Sequence, residues 1–205
     1  VGNSGESNKT ETWNGTNWTE VANLNTTRAY TAGAGTSNSN GIIFAGNSPA
    51  GNFDDTESWN GSSWTEVNDL NLARNQLSGS GTATSALAYS GSGPGVKYAQ
   101  TEIWNGTNWT EVNDLNTARS NAGGAGEDST TALCYAGYTT TQVAVTEEWN
   151  GTNWTETTDV SSGRSSGFSS GTATAALLSG GNPGKVTTTE EFTSPVETTV
   201  TFTAS

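Results

Sequence analysis

All eight tryptophans and all four arginines of this 205-residue chain fall at three positions of one repeating unit. Trp13, Trp59, Trp104 and Trp149 are separated by 46, 45 and 45 residues. Trp18, Trp64, Trp109 and Trp154 each follow five residues later, and Arg28, Arg74, Arg119 and Arg164 keep the same spacing. A period of about 40–50 residues with one such signature per period marks a propeller or a solenoid array. A unit this small cannot bury its apolar side alone, so neighbouring units must stack on one another.

Each unit reads as four short strands, a to d. In the third full unit, Thr117–Gly126 leads into a polar turn, and Thr131–Gly137 (TALCYAG) is an apolar run ending in a small residue and Gly. Thr146–Trp149 (TEEW) alternates, Asn150-Gly151 follows, and Trp154–Val160 (WTETTDV) closes the unit. Asn-Gly between two β runs predicts a tight hairpin of type I′. It recurs at Asn14-Gly15, Asn60-Gly61 and Asn105-Gly106. Four antiparallel strands per repeat make one blade of a β-propeller, so the expected fold is an all-β propeller. The expected boundaries are a partial blade over 1–25, blades over 26–71, 72–116 and 117–161, a partial blade over 162–193, and a tail or last strand over 194–205. Gly2 stands 11 residues before Trp13, as Gly181 does before Phe192. The chain is therefore expected to open inside a repeat, with its N-terminus truncated. Strands over 165–181 pair with the first c and d strands if the ring has four blades; otherwise upstream sequence completes five to seven. The alternating Val196–Phe202 (VETTVTF) is a candidate last strand.

Composition pulls the other way. Leu, Ile, Val and Phe make up 28 of 205 residues, and the net charge is −13. Those values are typical of disorder, but a disordered chain has no need of bulky aromatics in register. Eight tryptophans, each with a large area to bury, supply a core. Both tryptophan sets are expected between blades.

The unit resembles a kelch repeat. The apolar strand ends at Ala45-Gly46, Ser90-Gly91, Ala136-Gly137 and Gly180-Gly181, of which only the last is the family's Gly doublet. The strand-c aromatic is Trp13, Trp59, Trp104, Trp149 and finally Phe192, where kelch repeats usually carry Tyr. The family's Trp matches Trp18, Trp64, Trp109 and Trp154, and its Arg matches Arg28, Arg74, Arg119 and Arg164. The resemblance covers residues 1–193. The near-identical WNGTNWTEV units are also similar in style to kelch-like arrays of tail and virion proteins of marine bacteriophages. Such a likeness implies a repeat domain displayed on a virion surface or outside a cell, as in adhesion or receptor binding by a tail fibre.

The chain has no histidine, the commonest general base and metal ligand. Kelch-like copper oxidases need His and Cys ligands that are absent here. Adjacent acidic residues (Asp54-Asp55, Glu127-Asp128, Glu147-Glu148, Glu190-Glu191) do not share one repeat position, and neighbours along a strand point to its opposite sides; they read as solvated turns and edges. A calcium site at Asp54 and Asp55 lacks any EF-hand-like spacing. Cys134, the single cysteine, cannot form an internal disulfide and reads as core. No catalytic, metal or cofactor site is expected, and the chain is read as not an enzyme. A pI of about 4.1 disfavours nucleic acid as a partner. No stretch of 18 apolar residues suits membrane insertion. The nine Asn-X-Ser/Thr sequons, among them Asn14, Asn105 and Asn150, read as hairpin residues, and as glycan acceptors only in a secreted chain.

Glu11, Glu57, Glu102, Glu147 and Glu190 each lie two residues before the strand-c aromatic and on its face. Matched Glu and Arg periods predict ion pairs linking neighbouring blades; the rival reading is an arginine ring that binds an anion at the channel mouth. In an up-down blade the d-to-a and b-to-c loops share one end. All four Arg and the lysines Lys9, Lys97 and Lys185 are thus expected there. The b-to-c loops also differ most between units (NSPAGNFDD, SGSGPGVKYAQ, GYTTTQVAV, NPGKVTT), and variable loops on a uniform scaffold are where recognition resides. The candidate ligand-binding residues are Phe53, Lys97, Tyr98 and Tyr138. The expected function is non-enzymatic recognition of a host receptor or glycan, or a structural role, on a virion or cell surface. The expected partner is a protein or glycan, within a larger assembly. The alternatives are an intracellular kelch-type adaptor and, third, a carbohydrate-active enzyme.

Overall fold

The structure, a computed structural model, describes residues 5–184 and 186–194. It is all-β, with no helix among the described residues, and forms a propeller of four antiparallel blades. A first hairpin joins β1 (Glu11–Trp13) to β2 (Trp18–Glu20). Blade one follows as β3 (Ala32–Ser37), β4 (Asn40–Phe44), the small loop hairpin β5 (Asn47–Ser48) and β6 (Gly51–Asn52), then β7 (Thr56–Trp59) and β8 (Trp64–Val67). Blade two repeats this with β9 (Ser78–Gly81), β10 (Ala86–Tyr89), the loop pair β11 (Ser92–Gly93) and β12 (Val96–Lys97), β13 (Thr101–Trp104) and β14 (Trp109–Val112). Blade three is β15 (Gly123–Asp128), β16 (Thr131–Tyr135), β17 (Thr146–Trp149) and β18 (Trp154–Glu156). Blade four has three strands among the described residues, β19 (Phe168–Gly171), β20 (Ala175–Ser179) and β21 (Thr189–Thr193). In blades one to three the strands pair in the order a-b-c-d, and in blade four a-b-c.

The local chemistry explains the strand roles. Strand b carries the most apolar run (ALAY, TALCY) and is buried along both faces in blades two and three. Strand a, next to the axis, is Gly- and Ser-rich because strands crowd there: a Cβ at Gly79 would lie 2.7 Å from the Phe44 ring, and one at Gly124 would meet the Tyr89 hydroxyl. Strand c buries Thr, Glu and Trp together, at 0–5% exposure in blades one to three. Its indole N–H is satisfied by the a-to-b turn of its own blade: Trp59 donates to the Asn38 carbonyl, Trp104 to Ala83 and Trp149 to Ser129.

Three expectations change. The Asn-Gly hairpins are four-residue loops: Trp13 pairs directly with Trp18, and Trp59 with Trp64. Only the glycine is left-handed (Gly15 φ 95°, Gly61 φ 95°), so the turn is not type I′. The Asn earns its place with its side chain, since Asn14 Oδ1 accepts the N–H groups of Thr16 and Asn17, both at 2.9 Å. Next, β20 does not pair with the first hairpin. It pairs with β21, which offers Glu190 and Phe192 in the register that Glu and Trp hold elsewhere. Finally, Trp13 and Trp18 are 45% and 65% exposed. Among the described residues the hairpin pairs with no further strand that would cover Trp13 or receive Trp18. The other six tryptophans are buried or half-buried. Gly2, Lys185 and Val196–Phe202 lie outside the described residues.

Candidate functional site

The arginines form the seam between blades. Arg74 donates its backbone N–H to the Phe53 carbonyl and accepts the Gly46 N–H, both in blade one. Its side chain reaches Glu102 (2.6 Å) and the Ala88 carbonyl in blade two. Arg119 repeats this, bonding Tyr98 and Gly91 behind and Glu147 (3.2 Å) and the Cys134 carbonyl ahead. Arg28 pairs with Glu57 at 2.7 Å, and Arg164 faces Glu190. All four arginines are at most 3% exposed. The second carboxylate oxygen is also taken: Glu57, Glu102 and Glu147 each accept the backbone N–H and side-chain amide of Asn25, Asn71 or Asn116. A desolvated carboxylate needs such partners on both oxygens to be tolerated, although Arg74 Nε and Arg119 Nη1 have no hydrogen-bond partner among the described residues. The pair bridges blades through one residue, the arginine, whose backbone serves one blade and whose side chain serves the next. These arginines do not project at the channel mouth.

The four candidate ligand-binding residues divide. Phe53 and Tyr98 occupy the same repeat position, 45 residues apart, and their carbonyls hold the backbone of Arg74 and Arg119. The Phe53 ring lies 5.8 Å from the Arg28 guanidinium carbon, and both rings are half-buried. Lys97 and Tyr138 are brought together from adjacent blades, the ammonium 5.4 Å from the ring centroid. Lys97 also bonds Ser92 Oγ at 3.1 Å. Lys97 borders a shallow groove of about 510 Å³ that runs past Gly93, Ala118 and Thr139. Lys9, on the first hairpin, is bonded to Glu20 at 2.5 Å.

Nearer the axis lies a set of residues that the sequence reading passed over. Tyr30, Gln76, Asn121 and Ser166 each stand two residues after a repeat arginine. All four are left-handed, with φ of 54°, 53°, 52° and 56°. Their backbones are stitched in sequence: Gln76 N–H to Tyr30 carbonyl at 3.0 Å, then Asn121 to Gln76 and Ser166 to Asn121 at 2.9 Å. Asn121 Nδ2 also donates to Gln76 Oε1 at 3.1 Å. One residue out, Ala29, Asn75, Ser120 and Ser165 bridge to the b-to-c loops at Asn47, Ser92, Tyr138 and Asn182. The end of the propeller is thus an inner arc of four side chains framed by the variable loops. Tyr30 is 61% exposed and Ser166 is exposed, while Gln76 and Asn121 are half-buried. The available signal was that this position changes at every repeat, as Tyr, Gln, Asn and Ser, two residues from an invariant Arg.

Other groups are chemically quieter. Cys134 is fully buried and its thiol is pushed up by burial, against the opposing pull of Arg119; an un-ionised buried thiol is a poor nucleophile. Asp55, Glu66 and Asp69 cluster within 4.8 Å of one another. Burial raises the Asp55 carboxyl, Arg28 lowers it, and Asp69 and Asp54 raise it further. Asp69 Oδ1 accepts the Thr56 N–H, as Asp114 and Asp159 do for Thr101 and Thr146, so one corner of the cluster is a repeat feature. A groove of about 790 Å³ runs between the first hairpin and the Gly-rich a strands. No helix among the described residues is long and apolar enough to cross a membrane. No family model matches the chain, and no curated protein matches it.

Proposed function

We propose that this chain is a non-enzymatic recognition propeller of kelch type, displayed on a virion or cell surface, and that it binds a surface glycan over the inner arc. One observation carries the reading: four exposed or half-exposed side chains, all different, held in left-handed backbone on an otherwise uniform scaffold. A non-Gly residue in that region costs on the order of 1–3 kcal/mol and persists where the surroundings impose it, often at ligand sites. Glycine would relieve the cost, as it does at Gly46, Gly91 and Gly137. At Ala45, Ser90 and Ala136 the left-handed side chain fills core, being 0–1% exposed; at Tyr30 it faces solvent. An aromatic face, two amides and a hydroxyl are the groups that stack on and hydrogen-bond a neutral sugar. They bring no charge, because the arginines are committed to the seams.

The test is binding of the intact chain to an immobilised glycan panel, with Tyr30→Gly and Gln76→Gly alongside. The reading expects saccharide binding that falls at least tenfold in either variant while the unfolding midpoint stays level or rises. Saccharide binding that both variants retain would move the site to the Lys97–Tyr138 loops. Binding to protein ligands but to no saccharide would favour the adaptor reading, and turnover of a bound glycan would favour the enzyme.

A further inference from the structure

One dipeptide opens the c-d loop in four places. Asn14-Gly15, Asn60-Gly61, Asn105-Gly106 and Asn150-Gly151 each follow a strand-c tryptophan, and all four asparagines are exposed. In each loop the asparagine Oδ1 accepts the N–H groups two and three residues further on, at 2.9–3.0 Å. Asn-Gly is also the dipeptide most open to attack on itself. Glycine has no Cβ to shield its backbone nitrogen, so that nitrogen reaches the carboxamide carbon of the residue before it.

The chemistry needs only water. Hydroxide takes the glycine N–H proton, and the nitrogen adds to the asparagine Cγ. A C–N bond forms there as the bond to Nδ2 breaks, and Nδ2 leaves as ammonia after taking a proton from water. Water then opens the five-membered imide. Attack at the side-chain carbonyl gives aspartate, and attack at the main-chain carbonyl gives isoaspartate. Closing the imide turns the carboxamide away from the two N–H groups that hold its oxygen. The loop must open first, so the rate follows the opened fraction, and whatever holds each loop shut decides which one reacts.

Around this shared chemistry the loops differ. The Asn105 loop is tied to the blade before it: Asn68 Nδ2 donates to the Thr107 carbonyl at 3.0 Å and to Asn108 Oδ1 at 2.8 Å. Asn113 ties the Asn150 loop in the same way, to Thr152 at 3.0 Å and Asn153 at 2.9 Å. One unit earlier the equivalent residue is Ala22, which has no amide to offer the Asn60 loop. That loop still rests on the a-to-b turn of its own blade. A Cβ on Gly61 would stand 3.2 Å from the Ser39 carbonyl oxygen, as one on Gly106 would stand 3.4 Å from that of Thr84 and one on Gly151 3.3 Å from that of Thr130. A Cβ on Gly15 would meet nothing within 4 Å. The tryptophans flanking the Asn14 loop are 45% and 65% exposed, whereas those flanking the other three loops are buried or half-buried. The remaining Asn-Gly of the sequence, Asn40-Gly41, is held in β4, where Asn40 pairs with Ser37 and Gly41 with Trp59.

We propose that Asn14 is a self-modification site, which the folded chain converts to isoaspartate and aspartate with Gly15 as the nucleophile. Asn60 follows more slowly, and the ties from Asn68 and Asn113 protect Asn105 and Asn150. Isoaspartate carries the main chain through its Cβ, so it sets one more backbone atom and a negative charge between Trp13 and Trp18, which pair directly across β1 and β2. The product is a first hairpin released from its register, while the three blade hairpins keep theirs.

The intact chain is incubated in mildly alkaline buffer, folded and in urea, then digested with trypsin and mapped by mass spectrometry. Cuts at Lys9, Arg28, Arg74, Arg119 and Arg164 put the four hairpin asparagines on four different peptides. Fragmentation separates isoaspartate from aspartate, and Asn40 from Asn60. Residues 13–21 and 104–112 are identical in sequence, so in urea Asn14 and Asn105 should react at one rate, and a difference that arises on folding belongs to the structure. In the folded chain Asn14 should react at least about tenfold faster than Asn105 and Asn150, since two ties at about a factor of five each in the opened population give roughly 25-fold. Equal folded rates for Asn14 and Asn105 overturn the proposal, and so does an Asn14 slowed by folding as much as Asn105. Asn68→Ala should raise the Asn105 rate about fivefold or more and leave Asn150 as it was; an unchanged Asn105 rate in the folded variant overturns the role given to the ties. The wild-type comparison decides the Asn14 site even if this variant fails to fold.

Discussion

Replacing Glu102 by Gln isolates the electrostatics of one seam while keeping the side chain's size. Glu102 is 1% exposed and Arg74 fully buried. The carboxylate takes Arg74 on one oxygen at 2.6 Å and Asn71 on the other, through its N–H at 2.7 Å and its amide at 2.8 Å. Glutamine has one acceptor oxygen, so its NH₂ must face either the guanidinium or the Asn71 donors. The Arg74 guanidinium is left as an uncompensated buried charge. Hydrogen bonds to charged groups are worth about 1.5–3 kcal/mol each, and breaking a buried pair from one side costs about 3–5 kcal/mol. With a urea slope of about 1–3 kcal/mol/M, the midpoint should fall by roughly 2 M, read by tryptophan fluorescence. Glu111→Gln, one strand over and exposed, should stay within about 0.5 kcal/mol of wild type. The double variant Arg74→Met/Glu102→Leu should be less destabilised than the sum of its two single changes, because it removes the charges together. The reasoning fails if Glu102→Gln lies within about 1 kcal/mol of wild type, or if it cannot be told from Glu111→Gln.

Trp109→Ala removes a ring that is 6% exposed and packed on Phe44 and Trp104; a loss of about 3–5 kcal/mol in the same titration is expected, and less than about 1 would refute a core role. Gly46→Ala places a Cβ 2.7 Å from the Ala29 carbonyl oxygen at φ +108°, so thermal unfolding should show a loss of roughly 1–3 kcal/mol, against none if the loop relaxes freely. Burial pushes the Tyr135 phenol up to about 12, two units above its ordinary 10. The fold holds the neutral form, so this stabilisation is complete below pH 10 and lost as pH rises through 12. Roughly 3 kcal/mol is at stake, and an ultraviolet tyrosinate titration showing every tyrosine ionising near 10 would contradict it.

The blade was legible because its determinants are local and periodic. Trp104, Glu102 and Arg74 recur at a spacing that only stacked units explain, and their pairing follows from facing direction along a strand. Three things were not legible. The exposure of Trp18 depends on a neighbour blade, and the repeat gives Trp18 and Trp109 identical surroundings in sequence. The hairpin geometry turned on the Asn14 side chain competing for backbone N–H groups, which a dipeptide rule does not see. The left-handed arc is imposed by inter-blade bonds such as Asn121 to Gln76, 45 residues apart; neither Tyr nor Gln announces such a backbone by type. Phe53 and Tyr98 were singled out as loop aromatics, yet their shared period already hinted at a repeat task, holding the backbone of the next arginine.

Three seams, ahead of blades one, two and three, are written in the same atoms: an arginine backbone held by the loop behind it, a carboxylate ahead, an indole on a threonine. Blades joined this way are interchangeable parts. Excising residues 72–116 would bring blade three against blade one through bonds of the kind it already makes with blade two. Residues 13–21 and 104–112 are identical, both WNGTNWTEV, so unequal recombination between such stretches can drop or duplicate a cassette without inventing a joint. An exchange between these two stretches would move two b-to-c loops and two arc side chains as a unit, so that the fold's regularity makes its variable end easy to reassort.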